Sequence, residues 1–208
     1  MSEPITIIDY GMGNMGSIAN MLQRNHHEAT TSSSADEIAK AKKLILPGVG
    51  SFDAGMRHLA ESGVREVIQR KVLGEGTPIL GICLGMQLLF EGSEEGEEAG
   101  LGILKGRFRR FPAECEGKRL LVPHMGWNFV GVEGECKLAE EMEPNARFYF
   151  VHSYFLPEPP ASANGVLIAE YGQRFVAGVE SDTVCGVQFH PEKSHRWGIR
   201  LLENFARM

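Results

Sequence analysis

The chain lacks most of the features that would place a protein in a class at a glance. It has no run of about 18 or more apolar residues, so no membrane-spanning helix is expected. Its first residues, MSEPITIIDYG, have neither the basic start nor the long apolar middle of a secretory signal. Four cysteines (Cys83, Cys115, Cys136 and Cys185) lie far apart with no C-x-x-C pair. That spacing excludes a zinc pattern and a disulfide framework, and makes a reducing, cytoplasmic compartment the default. There is no glycine-rich phosphate loop of the P-loop kind and no metal-ligand constellation, so neither a nucleotide, a metal nor any other cofactor is expected. Basic residues are not in excess. Lys and Arg number 21 against 27 Asp and Glu, and the net charge of −6 argues against a general nucleic-acid or membrane surface. Repeats, linkers and low-complexity tracts are also missing.

What is present fits one domain spanning 1–208. A chain of 208 residues, 43% of them hydrophobic, can bury most of its apolar surface in one core. PITIID, KLILPG and TPILGIC are short apolar runs read as buried strands. Between them lie helical patterns: Ile18, Ala19 and Leu22 on one face, a short helix behind the serines of SSSADEIAKAKK, and MRHLAESGVREVIQRKVL with a break near Gly63. This alternation predicts an α/β fold with a largely parallel central sheet flanked by helices. After about residue 100 the texture changes to strand-like runs separated by Gly and Pro turns, which predicts additional antiparallel strands. SHRWGIRLLENFARM closes the chain as a helix, with Ser194 as its expected cap and Trp197, Leu201 and Phe205 at helical spacing. EGSEEGEEAG, residues 91–100, reads as a solvated glutamate-rich loop.

The chemistry begins at GICLGMQ, residues 81–87, where a buried strand gives way to a helix. A nucleophile flanked at two positions on each side by small residues sits on a sharp turn that bulkier neighbours would block. Gly81 and Gly85 occupy those positions around Cys83. Such a turn exposes the sulfur at the C-terminal edge of the sheet, where the next helix's N-terminus favours the thiolate. The Leu84 N–H is then placed to stabilise an oxyanion. Taken alone, the stretch also fits a buried structural cysteine.

A base decides between the two. VQFHPEK, residues 187–193, offers His190, with Pro191 restraining its backbone to an extended conformation. In an extended segment Glu192 falls on the same side as His190, where a carboxylate would fix the imidazole tautomer and leave its other nitrogen for the thiol. Cys83, His190 and Glu192 then fill the roles of nucleophile, base and orienter.

GICLGMQLLF together with GVQFHPEKS resembles the triad-type (class I) glutamine amidotransferases. LPGVGSF, VPHMGWN and FYFVHSY resemble, within that family, the glutaminase subunits of histidine biosynthesis. The resemblance spans essentially the whole chain. It implies a flavodoxin-like domain that hydrolyses glutamine through a cysteinyl thioester and passes ammonia to a (β/α)8-barrel synthase subunit in a heterodimer. It also implies that Val49 of PGVG joins Leu84 as an oxyanion donor, and the glycines on both sides of Val49 let that peptide rotate cheaply. Gly50, Gln87, Glu95, Ser153 and Tyr154 would form the glutamine pocket, Glu95 facing the α-ammonium, although Glu94, Glu97 and Glu98 compete for that part. On physical grounds VPHMGWN is either core packing or an aromatic interface anchor. The resemblance assigns Trp127 to the partner interface, with Asn14 and Lys193. His152 is expected to serve a structural role rather than replace His190. A paralogue supplying ammonia to another pathway, such as sugar modification, would keep all of these motifs. A cysteine hydrolase of similar fold would usually lack the H-P-E element, and a non-enzymatic module would be expected to have lost a triad member.

Overall fold

Alternating strands and helices in the first half of the chain build the part of the sheet that positions the site. The computed structural model describes residues 3–208. In chain order come β1 (Ile5–Ile8), α1 (Met15–Arg24), β2 (Ala29–Ser32), α2 (Ala35–Lys40), β3 (Lys43–Gly48), α3 (Phe52–Glu61) and α4 (Val64–Gln69). A π turn at Arg70–Gly74 leads to β4 (Ile79–Cys83) and α5 (Leu84–Leu89). The second half contributes β5 (Gly92–Ser93), β6 (Arg107–Arg110), β7 (Glu114–Cys115), β8 (Lys118–Arg119), β9 (His124–Phe129) and β10 (Gly131–Gly134). β11 (Arg147–His152), β12 (Tyr154–Phe155), β13 (Gly165–Tyr171), β14 (Gln173–Ser181), β15 (Val184–Val187) and α6 (His195–Arg207) complete the chain.

The main sheet runs β10-β13-β14-β15-β4-β3-β1-β2. Its β2, β1, β3, β4 and β15 pair in parallel, whereas β14, β13 and β10 extend it antiparallel. The parallel part has the doubly wound order of flavodoxin-like folds, with the order reversing beside β1 and β3. Ligand sites of such sheets lie beyond the C-terminal strand ends, which here are Ile8, Gly48 and Cys83. The parallel strands are apolar almost throughout because both faces are covered. Ile45, Leu80 and Ile82 pack with Ile18 and Leu22 of α1 and Leu201 and Phe205 of α6. Leu44, Leu46 and Ile79 pack on the other face with Phe52, Met56 and Leu59 of α3 and Met86 and Leu88 of α5.

The expected break near Gly63 separates α3 from α4, with Gly63 at φ +69°. Ser34 caps α2, accepting from the Glu37 N–H at 3.4 Å. Ser194 departs from its expected role. It stands at the start of α6 but makes no capping bond. Its hydroxyl instead donates to the His190 carbonyl at 2.6 Å and accepts from the Tyr149 N–H at 3.0 Å. The residue pins the His190 segment to β11, an interaction between distant stretches that periodicity does not encode.

Candidate active site

Cys83 ends β4 with φ +56° and ψ −112°, a conformation that costs an ordinary L-residue roughly 1–3 kcal/mol. The two flanking glycines make that turn possible. A methyl group on Gly85 would lie 1.8 Å from the Leu46 carbonyl oxygen, and one on Gly81 would lie 2.7 Å from the Gly85 oxygen and from Met86 N. The elbow therefore depends on three backbones in close contact, with β3 tight beneath α5.

His190 follows β15 and is only 3% exposed. Its backbone N–H donates to the Tyr149 carbonyl at 2.9 Å, which ties it to β11. Its ring Nδ1 is 2.8 Å from Glu192 Oε1, and both side chains are almost fully buried. The route between them differs from the expected extended segment. His190 is extended, but Pro191–Lys193 is a 3-10 turn with proline at its start. Proline's fixed φ suits the first residue of such a turn. The chain therefore curls Glu192 back beneath the imidazole.

With Nδ1–H donating to the carboxylate, Nε2 is left for the thiol, and it has no other partner among the described residues. Burial disfavours charging His190, yet the Cys83 sulfur and the Glu192 carboxylate outweigh it and raise its pKa to about 10.

Both residues line a cavity of about 270 Å³, at the small end for ligand sites. Its wall brings together Val49, Gly50, Leu84, Gln87, Glu95, Ser153 and Tyr154, the sequence-derived substrate and oxyanion residues. Of the competing glutamates, Glu95 is the one on the wall. It accepts from the Phe52 N–H at 2.8 Å, while burial, reinforced by nearby Asp53, pushes its pKa up against that bond. Glu94 is turned to the Arg110 N–H, and Glu97 and Glu98 are held through their backbones by Asp53. The loop is therefore pinned to the start of α3 rather than simply solvated. One carboxylate faces inward as a result.

His152 also reaches the wall, but its nitrogens are occupied. Nδ1 lies 2.7 Å from the Tyr154 carbonyl and Nε2 lies 3.0 Å from His124 Nδ1. A carbonyl only accepts, so His152 donates from Nδ1 and its Nε2 accepts a hydrogen bond from the His124 Nδ1–H, both rings being neutral. Burial lowers His124 to about 4 and His152 to about 3.

The three expected interface residues lie outside the cavity wall. Asn14 is exposed and caps α1, accepting from the Ser17 N–H at 3.3 Å. Trp127 is 43% exposed and stacks on the His195 ring at 5.4 Å. Lys193 Nζ stands 5.6 Å from the centre of the Tyr149 ring.

Sequence reasoning missed two residues beside the nucleophile. Gln188, fully buried, points its Nε2 at Cys83 Sγ from 3.7 Å and accepts from Gln87 Nε2 at 3.0 Å. Its spacing of two from His190 on a strand put both on one side, and that signal was available. Tyr10, buried next to the elbow, carried no such signal.

A strained cysteine on a strand-to-helix elbow and a buried histidine–carboxylate pair on one small cavity define a triad-type thiol hydrolase. The chain belongs to the glutamine amidotransferase class-I family, whose pattern it matches over residues 6–208. It is 47% identical over 203 residues to the imidazole glycerol phosphate synthase subunit HisH 2 of Methanococcus maripaludis, covering 98% of each chain. It is 46% identical to the protein of the same name from Pseudomonas aeruginosa, covering 98% of this chain and 99% of the other. A 42% match, the imidazole glycerol phosphate synthase subunit HisH of Leptospira interrogans, is covered in full. A crystal structure described as a glutamine amidotransferase superposes with a TM-score of 0.72 at 21% identity, covering 98% and 97% of the two chains. The glutaminase domain of Trypanosoma brucei CTPS superposes at 0.63 with 13% identity, covering 99% of this chain and 94% of that one, and shares the fold.

Proposed function

We propose that this chain is the glutaminase subunit of an imidazole glycerol phosphate synthase, working in histidine biosynthesis. The observation that carries the reading is Cys83, held at positive φ beside the His190–Glu192 pair, on a cavity shared with Val49, Gln87 and Glu95.

In this reading glutamine lies with its side-chain amide at Cys83 and its α-ammonium at Glu95. The Cys83 proton passes to His190 Nε2, and the sulfur attacks the amide carbon. The resulting oxyanion is held by the N–H groups of Leu84 and Val49, a type of contact whose loss typically costs about 10²–10³ in rate. The intermediate collapses, the nitrogen takes the proton from His190, and ammonia leaves a glutamyl thioester on Cys83. Water then attacks the thioester as His190 removes its proton, and the returning thiolate releases glutamate. Glu192 holds the imidazole in the tautomer that both half-reactions need. Gln188, with Gln87 behind it, supplies a weak donor to the sulfur.

Ammonia is passed to a synthase subunit, a (β/α)8-barrel that closes the imidazole ring, across the face carrying Asn14, Trp127 and Lys193. The amidotransferase domain spans 1–208 and works in the cytoplasm beside that partner.

The test is glutamine hydrolysis by the purified chain with and without its barrel partner, for wild type and Cys83→Ala. The reading expects slow turnover alone, strong stimulation by the partner and loss of turnover in Cys83→Ala. Retained turnover in Cys83→Ala would remove the nucleophile, and full turnover by the isolated chain would remove the dependence on a partner.

A second reading keeps the chemistry but changes the pathway: a paralogue feeding ammonia to sugar modification. Two of the relatives carry the numeral 2 in their names. Complementation of a histidine auxotroph lacking its glutaminase subunit separates the readings, with growth supporting the histidine pathway.

A further inference from the structure

The exit loop of β1 holds a buried polar group without a partner among the described residues. Tyr10 is 3% exposed, and its hydroxyl has no hydrogen-bond partner among the described residues. Burying a phenol hydroxyl without a partner is unfavourable, so its position calls for a reason.

That position is specific. A methyl group built on Gly48 would lie 2.5 Å from Tyr10 Oη, 2.9 Å from Leu84 Cβ and 3.0 Å from Gly85 N. The hydroxyl therefore rests against the Cα of Gly48, where β3, the elbow and the β1 exit loop meet. The register of the sheet places Gly48 opposite Cys83. Two further contacts bring the loops together: a methyl on Gly13 would meet Gly48 N at 3.4 Å, and one on Gly50 would meet Met12 Cε at 2.4 Å. The backbone at Tyr10 is fixed by His58 Nδ1, 3.1 Å from its carbonyl oxygen. Burial first and the charge at Cys83 second keep the Tyr10 hydroxyl protonated far into the alkaline range, so it remains a donor.

We propose that Tyr10 is a positioning residue for the oxyanion site: its hydroxyl donates to the Gly48 carbonyl when the Gly48–Val49 peptide turns its N–H toward Cys83. In a trans peptide the N–H and C=O point in opposite directions. Aiming the Val49 N–H into the cavity therefore sends the Gly48 carbonyl inward, away from water, where it needs a donor. The carbonyl swings about a Cα that the Tyr10 hydroxyl already touches. The orphan donor and the newly buried acceptor then satisfy one another, which stabilises the turned peptide. Glycine at 48 is required twice over, to let the peptide rotate and to leave room for the hydroxyl.

The inference rests on the glutaminase reading, and the experiment separates the two. Glutamine hydrolysis is measured in the complete complex with the barrel partner, for wild type and Tyr10→Phe. In parallel, Cys83 alkylation by iodoacetamide and the melting temperature are followed. The expected result is a kcat lower by about tenfold, the size of one neutral hydrogen bond, with KM unchanged. Alkylation keeps its rate and pH profile, since it forms no oxyanion. The melting temperature stays level or rises, since an unpartnered hydroxyl is removed from the resting protein. Full kcat in Tyr10→Phe would overturn the proposal. So would a loss of kcat matched by slower alkylation, which would place the damage at the nucleophile. A clearly lowered melting temperature would overturn it too, by showing the hydroxyl already bonded at rest. An inactive wild-type complex would instead overturn the glutaminase reading.

Discussion

At the scale of residues, two kinds of histidine share one protein. His190 is raised to about 10 because the Cys83 sulfur and Glu192 carboxylate outweigh its burial. His124 and His152 have no carboxylate, and burial takes them down to about 4 and about 3. The signs fix how stability varies with pH. His190 binds its proton more tightly folded than unfolded, so its contribution is complete below about 6.5 and fades as pH rises toward 10. His124 and His152 refuse protons that the unfolded chain accepts, so stability falls as pH drops from 6.5 toward 4, by up to about 1.4 kcal/mol per pH unit for each ring. Urea unfolding across the range from about pH 4.5 to 9.5 should show both limbs. Glu192→Gln should shorten the alkaline limb, and His124→Gln the acid one. Limbs unchanged by these substitutions would contradict the assignment. The proposed triad was legible because three residue types stand in two short motifs. The tautomers of the His124–His152 pair were not, because they depend on a contact between rings 28 residues apart in sequence that only folding creates.

At the scale of elements, the elbow is a packing problem that glycine solves. Gly85→Ala would press a methyl to within 1.8 Å of the Leu46 oxygen, backbone against backbone, with no flexible side chain to yield. A loss of about 3 kcal/mol or more is expected from such overpacking. Gly74→Ala is the control, since a methyl there meets nothing within 4 Å. Equal stabilities of the two variants by urea unfolding would contradict this account of the elbow. The buried parallel strands were readable as continuous apolar runs, and α3 and α4 by their periodicity and the intervening Gly63. β2 was not, because ATTS is short and half polar and lies at the sheet edge, where only one neighbour pairs with it. The 3-10 turn at Pro191–Lys193 was hidden by the rule that proline extends the residue before it. That rule holds for His190 but does not constrain Glu192 and Lys193, which lie beyond the proline.

At the scale of the whole molecule, the cavity at Cys83 and the apolar face of β9 carry the proposed chemistry and the proposed partner contact. β9 alternates, turning His124 inward and leaving Met125, Trp127 and Phe129 outward, 61%, 43% and 60% exposed. Three large apolar side chains in a row on a free strand face are a liability unless another protein covers them. Val49, 56% exposed on the cavity wall, would then lie where a covering partner could control both the oxyanion donor and the escape of ammonia. The proposed function stands or falls on covalent chemistry at one sulfur. The most direct measurement is the mass of the chain in the partner complex, acid-quenched during glutamine turnover and digested to locate any adduct. A glutamyl thioester on the peptide containing Cys83, absent from Cys83→Ala, is the predicted result. Turnover with Cys83 unmodified, or an adduct on Cys115, Cys136 or Cys185, would contradict it.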